Sequence, residues 1–548
     1  MHITSHRIEV TTVGDLALRA ADRHPHRDAL VFPEARHTYA SLMSAAYGRA
    51  ASLHGLGVRP GDHVGILMAN CLEFMEVLLG ACLMGAWAVP INARFKPREL
   101  AYVVENADLH TIVTSDRISE YADFASLLGE ALPGLVAAGT STLLHLDAAP
   151  RLRRAVMLGG SEPDGFMGQA AFEAMGAGTD LGQIDAMREA VRVRDPAMMM
   201  YTSGTTAHPK GCPLSHEALV RNGINMNRCR YFLEETDVFW APLPMFHMAS
   251  TLPFLACLDA GAAMASMTHI DAEAALDMLE RERVSIAFPA FPTVTNALIN
   301  HPTFASRDLS RIRRLNNVAP VEMLKRFQDA FPQAVQTGAY GMTECGGVIS
   351  FNHPDETLEQ RLTTCGRPFP GLEVRIVDPE SGEELPAGTR GELLARGYAV
   401  FDGYYKSPEK NSEAFADGWF RTGDLCSVDE RGAILFHGRL KDMLKVGGEN
   451  VAALEIESFL ATHPSVALAQ VVGRADERLQ EVPVAFVELK PGAEATEDEL
   501  IAYCSAQLAS FKVPRAVRFV TAWPMSSTKV QKFKLLDLFE PDATGVQT

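Results

Sequence analysis

A chain of 548 residues is too long for one ordinary core, so two or more domains are expected. It is 47% hydrophobic and 22% charged, the balance of a soluble globular protein, and its formal charge of -18 argues against nucleic acid as the main partner, which usually calls for a basic surface. Nine scattered cysteines with no C-x-x-C pair suit reduced thiols in the cytoplasm better than a disulfide framework or zinc site.

The N-terminal string MHITSHRIEVTTVGDLAL has no apolar signal-peptide core. Residues 13–24 read as a helix, 29–32 and 37–39 as a short hairpin, and 41–53 as a helix. Residues 64–67 (VGIL) read as a buried strand, 71–84 as a helix packed on it and 88–91 as a further strand. A helix at 100–107 and a strand at 111–114 continue the alternation, which predicts a parallel sheet covered on both faces. Residues 136–190, rich in Gly and Ala, read as peripheral connections. Two apolar stretches read as core and not as membrane spans. Residues 77–91 fall short of the roughly 20 a bilayer needs. Residues 238–258 carry Pro242, Pro244, Pro253 and His247.

Residues 197–201 (AMMMY) read as a buried strand that enters the string YTSGTTAHPKGCPLSH, and 216–227 read as a helix. Strand, loop and helix are thus expected in that order. The hydroxyls of Thr202, Ser203, Thr205 and Thr206, the backbone around Gly204 and the ammonium of Lys210 make a cradle for a polyphosphate. It is not a nucleotide P-loop, because no Ser or Thr follows Lys210 to hold magnesium.

Alternation resumes with a helix at 272–282, a strand at 285–288, a helix at 294–300, and strands at 312–315 and 334–336 around a helix at 321–331. From 366 to 438 short strands at 373–377, 391–395 and 433–436 are broken by Gly and Pro turns, the pattern of a small all-β subdomain. Residues 454–462, 466–473, 482–489 and 497–508 then alternate helix and strand, as in a small α+β domain. The expected fold class is α/β: a large domain, 1–440, of two parallel α/β subdomains and a β-barrel-like subdomain, followed by a small mobile α+β domain, 441–548.

Four further strings carry chemistry. GAYGMTE (338–344) sets a flat Tyr340 ring beside the Thr343 hydroxyl and the Glu344 carboxylate, and a carboxylate near polyphosphate needs a cation between them, usually Mg²⁺. DGWFRTGDL (417–425) ends on Asp424, a carboxylate able to accept from both ribose hydroxyls. GRLKDMLKVGGENV (438–451) offers the planar fork of Arg439 to an anion. PMSSTKVQKFKL (524–535) offers a mobile ammonium.

Together with T-S-G-T-T-x-x-P-K-G, and in this order, these strings resemble the motifs of the adenylate-forming superfamily, in particular its fatty-acid and carnitine-type CoA ligases. The resemblance covers most of the chain. It implies an adenine-stacking Tyr340, a phosphate-contacting Thr343, Mg²⁺ at Glu344, ribose on Asp424, and ribose or phosphate on Arg439. It implies a hinge at Lys441, a pantetheine tunnel at Gly447 and Gly448, and the catalytic lysine at Lys529, with Lys532 and Lys534 as rivals. Thr528 stands where the family has Gly. PLPMFHMAS resembles the segment in which His247 walls the acyl site, and Asn317, Gly338 and Gly346 are placed with it. NNVAP departs from the family's Gly- or Ala-rich loop, and Gly346 with Gly347 is expected to leave room for a bulky acyl group.

The implied activity is ATP-dependent activation of a carboxylic acid to an acyl-adenylate and its transfer to coenzyme A. The alternatives are transfer to a carrier protein or partner, and, in another class, a non-catalytic acyl-nucleotide sensor. A homodimer is left open.

Overall fold

In the computed structural model, which describes residues 10–138, 143–202, 209–446, 449–476, 478–525 and 530–536, the short apolar runs between Asp28 and Thr337 pair into two seven-stranded sheets. The first has the order Met167–Gly168, Arg154–Leu158, Leu109–Ser115, His63–Leu67, Trp87–Pro90, Pro196–Thr202, Lys210–Ser215. The second runs Val335–Thr337, Arg314–Asn317, Ile286–Ala290, Val238–Trp240, Ala263–Ala265, Asp28–Val31, Arg36–Thr38. Neighbours are parallel in both except at the last pair, which is an antiparallel hairpin. The two sheets share one order: five crossover strands, lying as fifth, fourth, third, first, second, and then the hairpin.

Successive residues of a strand face opposite ways, and here both faces are covered. Val64, Ile66, Val113, Val156 and Met198 of the first sheet share a core with Leu30, Phe239, Met264 and Ile286 of the second. Leu67, Val89, Ile112, Met157 and Met199 turn to a second core, and Val31, Trp240, Ala265 and Ala287 to a third. The shared core also takes residues from the helices Val13–Arg23, Tyr39–Gly55, Leu72–Leu83, His216–Met226 and Met248–Ala260, which therefore lie between the sheets. That position explains why Leu72–Leu83 buries every residue from Phe74 to Leu83 and shows no polar face. Among the described residues no helix is long and apolar enough to cross a membrane.

Beyond Thr337 the pairing turns antiparallel. Ala339–Tyr340, Ser350–Phe351 and Arg367–Pro368 form a ribbon. Leu372–Val377, Gly391–Gly397, Trp419–Val428, Phe415–Ala416 and Ile434–Arg439 form a five-stranded sheet. The chain leaves that sheet at Arg439, turns through Leu440–Asp442 and enters another at Met443. This last sheet joins Glu449–Ala452, Met443–Val446, Gln480–Leu489 and Val466–Asp476, with Ala516–Phe519 alongside, and has its own core around Ile456, Val471, Val487 and Leu500. The architecture is the expected α/β one, with a separate C-terminal α+β body.

Two local readings are corrected. Residues 136–190 are not peripheral throughout: Arg154–Leu158 is a largely buried strand inside the first sheet, and Phe172 of the helix Gln169–Gly176 is fully buried. Elements buried on all sides lose the periodicity by which strand and helix are told apart. The apolar run 238–258 is largely buried core, as expected, and divides into the strand Val238–Trp240 and the helix Met248–Ala260, which holds Pro253. The second correction is at the polyphosphate loop, where the strand Lys210–Ser215 stands before the helix. Pro213 argues against a strand in sequence, but this is the edge strand, where a missing N–H is tolerated.

His216 opens the helix His216–Met226 and is fully buried. Its Nδ1 accepts the Val13 N–H at 3.1 Å, so the proton sits on Nε2, which meets no partner among the described residues. Burial holds the imidazole down to about 4, against an ordinary 6.5. Between those values the unfolded chain binds a proton that the folded chain refuses. The associated stability is full above pH 6.5 and is lost as pH falls towards 4, on the order of 3 kcal/mol in all. We expect the urea midpoint to drop between pH 7 and pH 4.5. His216→Asn, whose carbonyl can replace Nδ1 as acceptor, should flatten that slope; an unchanged slope would exclude His216 as its source.

Candidate active site

The polyphosphate string is the tip of the hairpin that ends the first sheet. Thr202 closes the strand Pro196–Thr202 and pairs in register with Lys210, and Tyr201 pairs with Gly211. Both ends of the loop are therefore fixed on one rung of a ladder. Ser203, Gly204, Thr205 and Thr206 lie outside the described residues. Lys210 is half-buried, with its ammonium 4.5 Å from the centroid of the Tyr404 ring.

Thr343 and Glu344 sit half-buried on a single 3₁₀ turn, Thr343–Cys345. The turn ends through Gly346 and Gly347, at φ 63° and 94°, a conformation that favours glycine. A turn this tight points several carbonyls one way, and they need a donor. Asn222, fully buried on the helix that follows the polyphosphate hairpin, supplies it. Its Nδ2 donates to the carbonyls of Cys345, Gly346 and Val348 at 3.2, 3.0 and 3.0 Å. Its Oδ1 accepts from the Tyr398 hydroxyl at 2.6 Å, which in turn accepts from Asn225 at 2.7 Å. The Arg221 guanidinium lies 3.8 Å over the same Tyr398 ring. Glu344 itself is met by the Tyr404 hydroxyl, which donates to Oε1 at 2.9 Å.

Tyr340 is buried, and its hydroxyl donates to Asp424 Oδ2 at 2.8 Å. Burial first, and then the Asp424 charge, push its phenol well above the ordinary range. The Tyr340 ring lies 5.9 Å from that of Phe436, tilted by 32°. Asp424 is buried on Trp419–Val428, in register with Arg439, whose Nε is 3.6 Å from Oδ1. Glu392, buried on the neighbouring strand, pairs with Arg421 and accepts the Gly423 N–H at 3.1 Å, which fixes the turn before Asp424.

The residues assigned to the acyl side are placed unequally. His247 is the N-cap residue of Met248–Ala260, half-buried against Phe246 with ring centroids 4.8 Å apart. Asn317 does not face an open cleft. It is fully buried, accepting from Thr295 Oγ1 at 2.6 Å and donating to Gln336 Oε1 at 3.2 Å, so its amide is committed to the core. Its neighbour Asn316 is likewise buried and donates to the Thr337 carbonyl at 3.0 Å. Gly338 donates its N–H to Asn352 Oδ1 at 2.7 Å. Gly346 and Gly347 make room for protein and not for an acyl group. A Cβ at Gly346 would stand 3.0 Å from Asn222 Nδ2, and one at Gly347 would stand 2.8 Å from Met248 Cβ.

Lys441 lies on the turn Leu440–Asp442 between the two bodies, where partial burial and the nearby Arg439 hold its ammonium below the ordinary lysine range. Gly447, Gly448 and Lys529 lie outside the described residues. Of the rivals, Lys532 is paired with the buried Glu457 at 2.5 Å, and Lys534 lies 5.7 Å from the Phe533 ring centroid.

Lys210 and the half-buried Glu344 thus meet at Tyr404, and the buried Tyr340 and Asp424 meet beside the partly exposed Arg439. Sequence reasoning missed Tyr404 and Asn222. Tyr404 falls in 366–438, which read as short strands broken by Gly and Pro turns, and Asn222 in 216–227, which read as a helix with no residue singled out.

Comparison with known proteins identifies the family. Residues 18–405 match the family model described as AMP-binding enzyme, and residues 455–529 match AMP-binding enzyme C-terminal domain. The chain is 35% identical over 539 residues to the YngI protein of Bacillus subtilis (strain 168), whose name provisionally makes it an acyl-CoA synthetase, with 96% of each chain covered. It is 31% identical to the mitochondrial medium-chain acyl-CoA ligase ACSF2 of Rattus norvegicus, over 98% of this chain and 89% of that one. The structure is similar to that of the anthranilate CoA ligase AuaEII in complex with anthranoyl-AMP, at a TM-score of 0.84 and 26% identity, over 97% of this chain and 98% of that one.

Asn222→Ala would strip three carbonyls of their donor, and a loss of roughly 2–4 kcal/mol in urea unfolding is expected. A change too small to measure would show that the turn finds other donors.

Proposed function

The chain belongs to the AMP-binding enzyme family, and from that premise we propose that it is an AMP-forming acid–thiol ligase that makes acyl-CoA. The observation that carries the reading is that residues of three motif strings are paired in the fold, Lys210 with Glu344 through Tyr404 and Tyr340 with Asp424 directly. A carboxylate oxygen of the acid attacks the α-phosphorus of ATP. The bond to the β-phosphate bridge breaks, and pyrophosphate leaves an acyl-adenylate. The CoA sulfur then attacks the acyl carbon, the bond to the AMP oxygen breaks, and AMP and the thiol proton depart.

The polyphosphate lies along Thr202, Ser203, Gly204, Thr205, Thr206 and Lys210. Adenine packs against Tyr340, and Asp424 takes the ribose with Arg439 beside it. Among the described residues Oε2 of Glu344 accepts no hydrogen bond, so this carboxylate beside the Thr343 hydroxyl fits a hard, oxygen-loving cation such as Mg²⁺. When bound, that ion supplies positive charge against the phosphates. Lys529 supplies charge at the reacting centre. Lys532 is committed to Glu457, which supports Lys529 for that role.

We divide the chain into 1–440 and 441–548. A turn of the small domain about Lys441 withdraws Lys529 and presents Gly447 and Gly448 to the pantetheine arm. His247 and its neighbours wall the acyl group. The likeness to a medium-chain ligase makes a medium-length apolar acid the first substrate to try. Nine free cysteines fit the reducing cytoplasm.

Mass spectrometry after incubation with MgATP, CoA and a pool of aliphatic and aromatic acids should find acyl-CoA and AMP. Acyl-adenylate without acyl-CoA would refute the second half-reaction. Lys529→Ala should abolish adenylate formation and spare thioester formation from a supplied acyl-adenylate. Equal loss of both halves would remove Lys529 from its assigned role.

A further inference from the structure

Lys210 and Glu344 carry opposite charges and meet the same side chain. The Lys210 ammonium is 4.5 Å from the Tyr404 ring centroid, and the Tyr404 hydroxyl is 2.9 Å from Glu344 Oε1. Among the described residues the two charges form no direct ion pair with each other. Opposite charges so close, in a partly dry cleft, attract strongly enough to pair unless something stands between them. A direct pair would quench both groups, and an arriving nucleotide would first have to break it.

Tyr404 is held firmly in its place. It is 9% exposed. Its N–H donates to Asn411 Oδ1 at 2.7 Å, and Asn411 Nδ2 donates back to its carbonyl at 3.0 Å. The Phe401 ring stacks edge-on at 4.8 Å. On one side the Phe401 N–H donates to the Glu344 carbonyl at 2.9 Å, and on the other the Tyr405 N–H donates to the Gly211 carbonyl at 2.9 Å. Residues 401–405 are therefore tied at once to the Glu344 turn and to the polyphosphate strand.

We propose that Tyr404 is a positioning residue that keeps Lys210 and Glu344 apart and aimed, one on its ring and one on its hydroxyl, until the nucleotide and its metal arrive. The inference rests on reading this cleft as the MgATP site. A cation on a ring is weaker than an ion pair, so the ammonium passes to phosphate at little cost, while the hydroxyl stays on Oε1 of Glu344 and leaves Oε2 aimed at the metal.

The test is calorimetric binding of α,β-methylene-ATP with and without Mg²⁺, which needs no turnover. Tyr404→Phe keeps the ring and removes the hydroxyl. Its metal-free affinity should stay within about twofold of wild type, while the gain in affinity brought by Mg²⁺ should shrink roughly tenfold, the worth of one hydrogen bond to a charged group. Tyr404→Leu removes the separator. Metal-free affinity should then fall as well, and a crystal structure should place Lys210 Nζ in direct contact with the Glu344 carboxylate. Adding Glu344→Gln to Tyr404→Leu should restore the metal-free affinity, because the captured Lys210 is released. A Tyr404→Phe protein that behaves as wild type would overturn the proposal. So would equal losses with and without Mg²⁺ in both single variants, which is the signature of a merely structural residue. Wild-type protein that binds no analogue at all would instead refute the MgATP reading, and this inference with it.

Discussion

The cleft depends on three backbone carbonyls having a donor. The turn after Thr343 is tight, and it directs the oxygens of Cys345, Gly346 and Val348 at one buried amide, that of Asn222. That amide holds the turn on one side, the Phe401 N–H holds its Glu344 carbonyl, and the Glu344 side chain rides on the turn. Asn222 belongs to the helix that leaves the polyphosphate hairpin, so the two halves of the site share a foundation. The carboxylate and the ammonium are placed by elements that cannot move independently. This is preorganisation built from the main chain outward, in which a single side chain converts strained loop geometry into fixed chemistry.

Net charge would not suggest a polyanion site. The protein is acidic overall, yet Lys210, Arg439 and Lys441 stand near the expected nucleotide positions. A few cations in one cleft set the local field, while the acidic remainder keeps the surface repulsive towards other polyanions. Selectivity for a small phosphate ligand over nucleic acid follows from where the charges are and not from how many there are.

Much of this was readable in the residues themselves. The runs VGIL and AMMMY are short, apolar and bounded by turn residues, and both are strands where expected. The motif strings mark Tyr340, Glu344 and Asp424 because particular side chains are needed at fixed offsets. What stayed hidden depends on distant partners. Lys210–Ser215 looks unlike a strand until its position at the sheet edge excuses Pro213. Asn317 looks like a ligand-facing amide until Thr295 and Gln336 are seen to claim it. Tyr404 lies in an interval of Gly, Pro and charge, and only the folded chain brings it between Lys210 and Glu344. Local pattern encodes elements; it does not encode which polar group answers which.

The shared strand order of the two sheets has a consequence for how the protein is made. The hairpin that finishes the first sheet follows the five strands it joins, so that sheet can close as soon as Lys210–Ser215 has left the ribosome. The hairpin that finishes the second sheet is the first to be synthesised, and its partner Ala263–Ala265 comes long afterwards. Asp28–Val31 must wait, with only its hairpin mate Arg36–Thr38 beside it, through the synthesis of an entire neighbouring sheet. The second sheet is not drawn from a continuous length of chain, and a truncation between the two would leave that sheet open and its hairpin without a home. The chain thus commits its two halves to a common fate, and among the described strands the pairing of widest sequence separation is the one that joins its beginning to its middle.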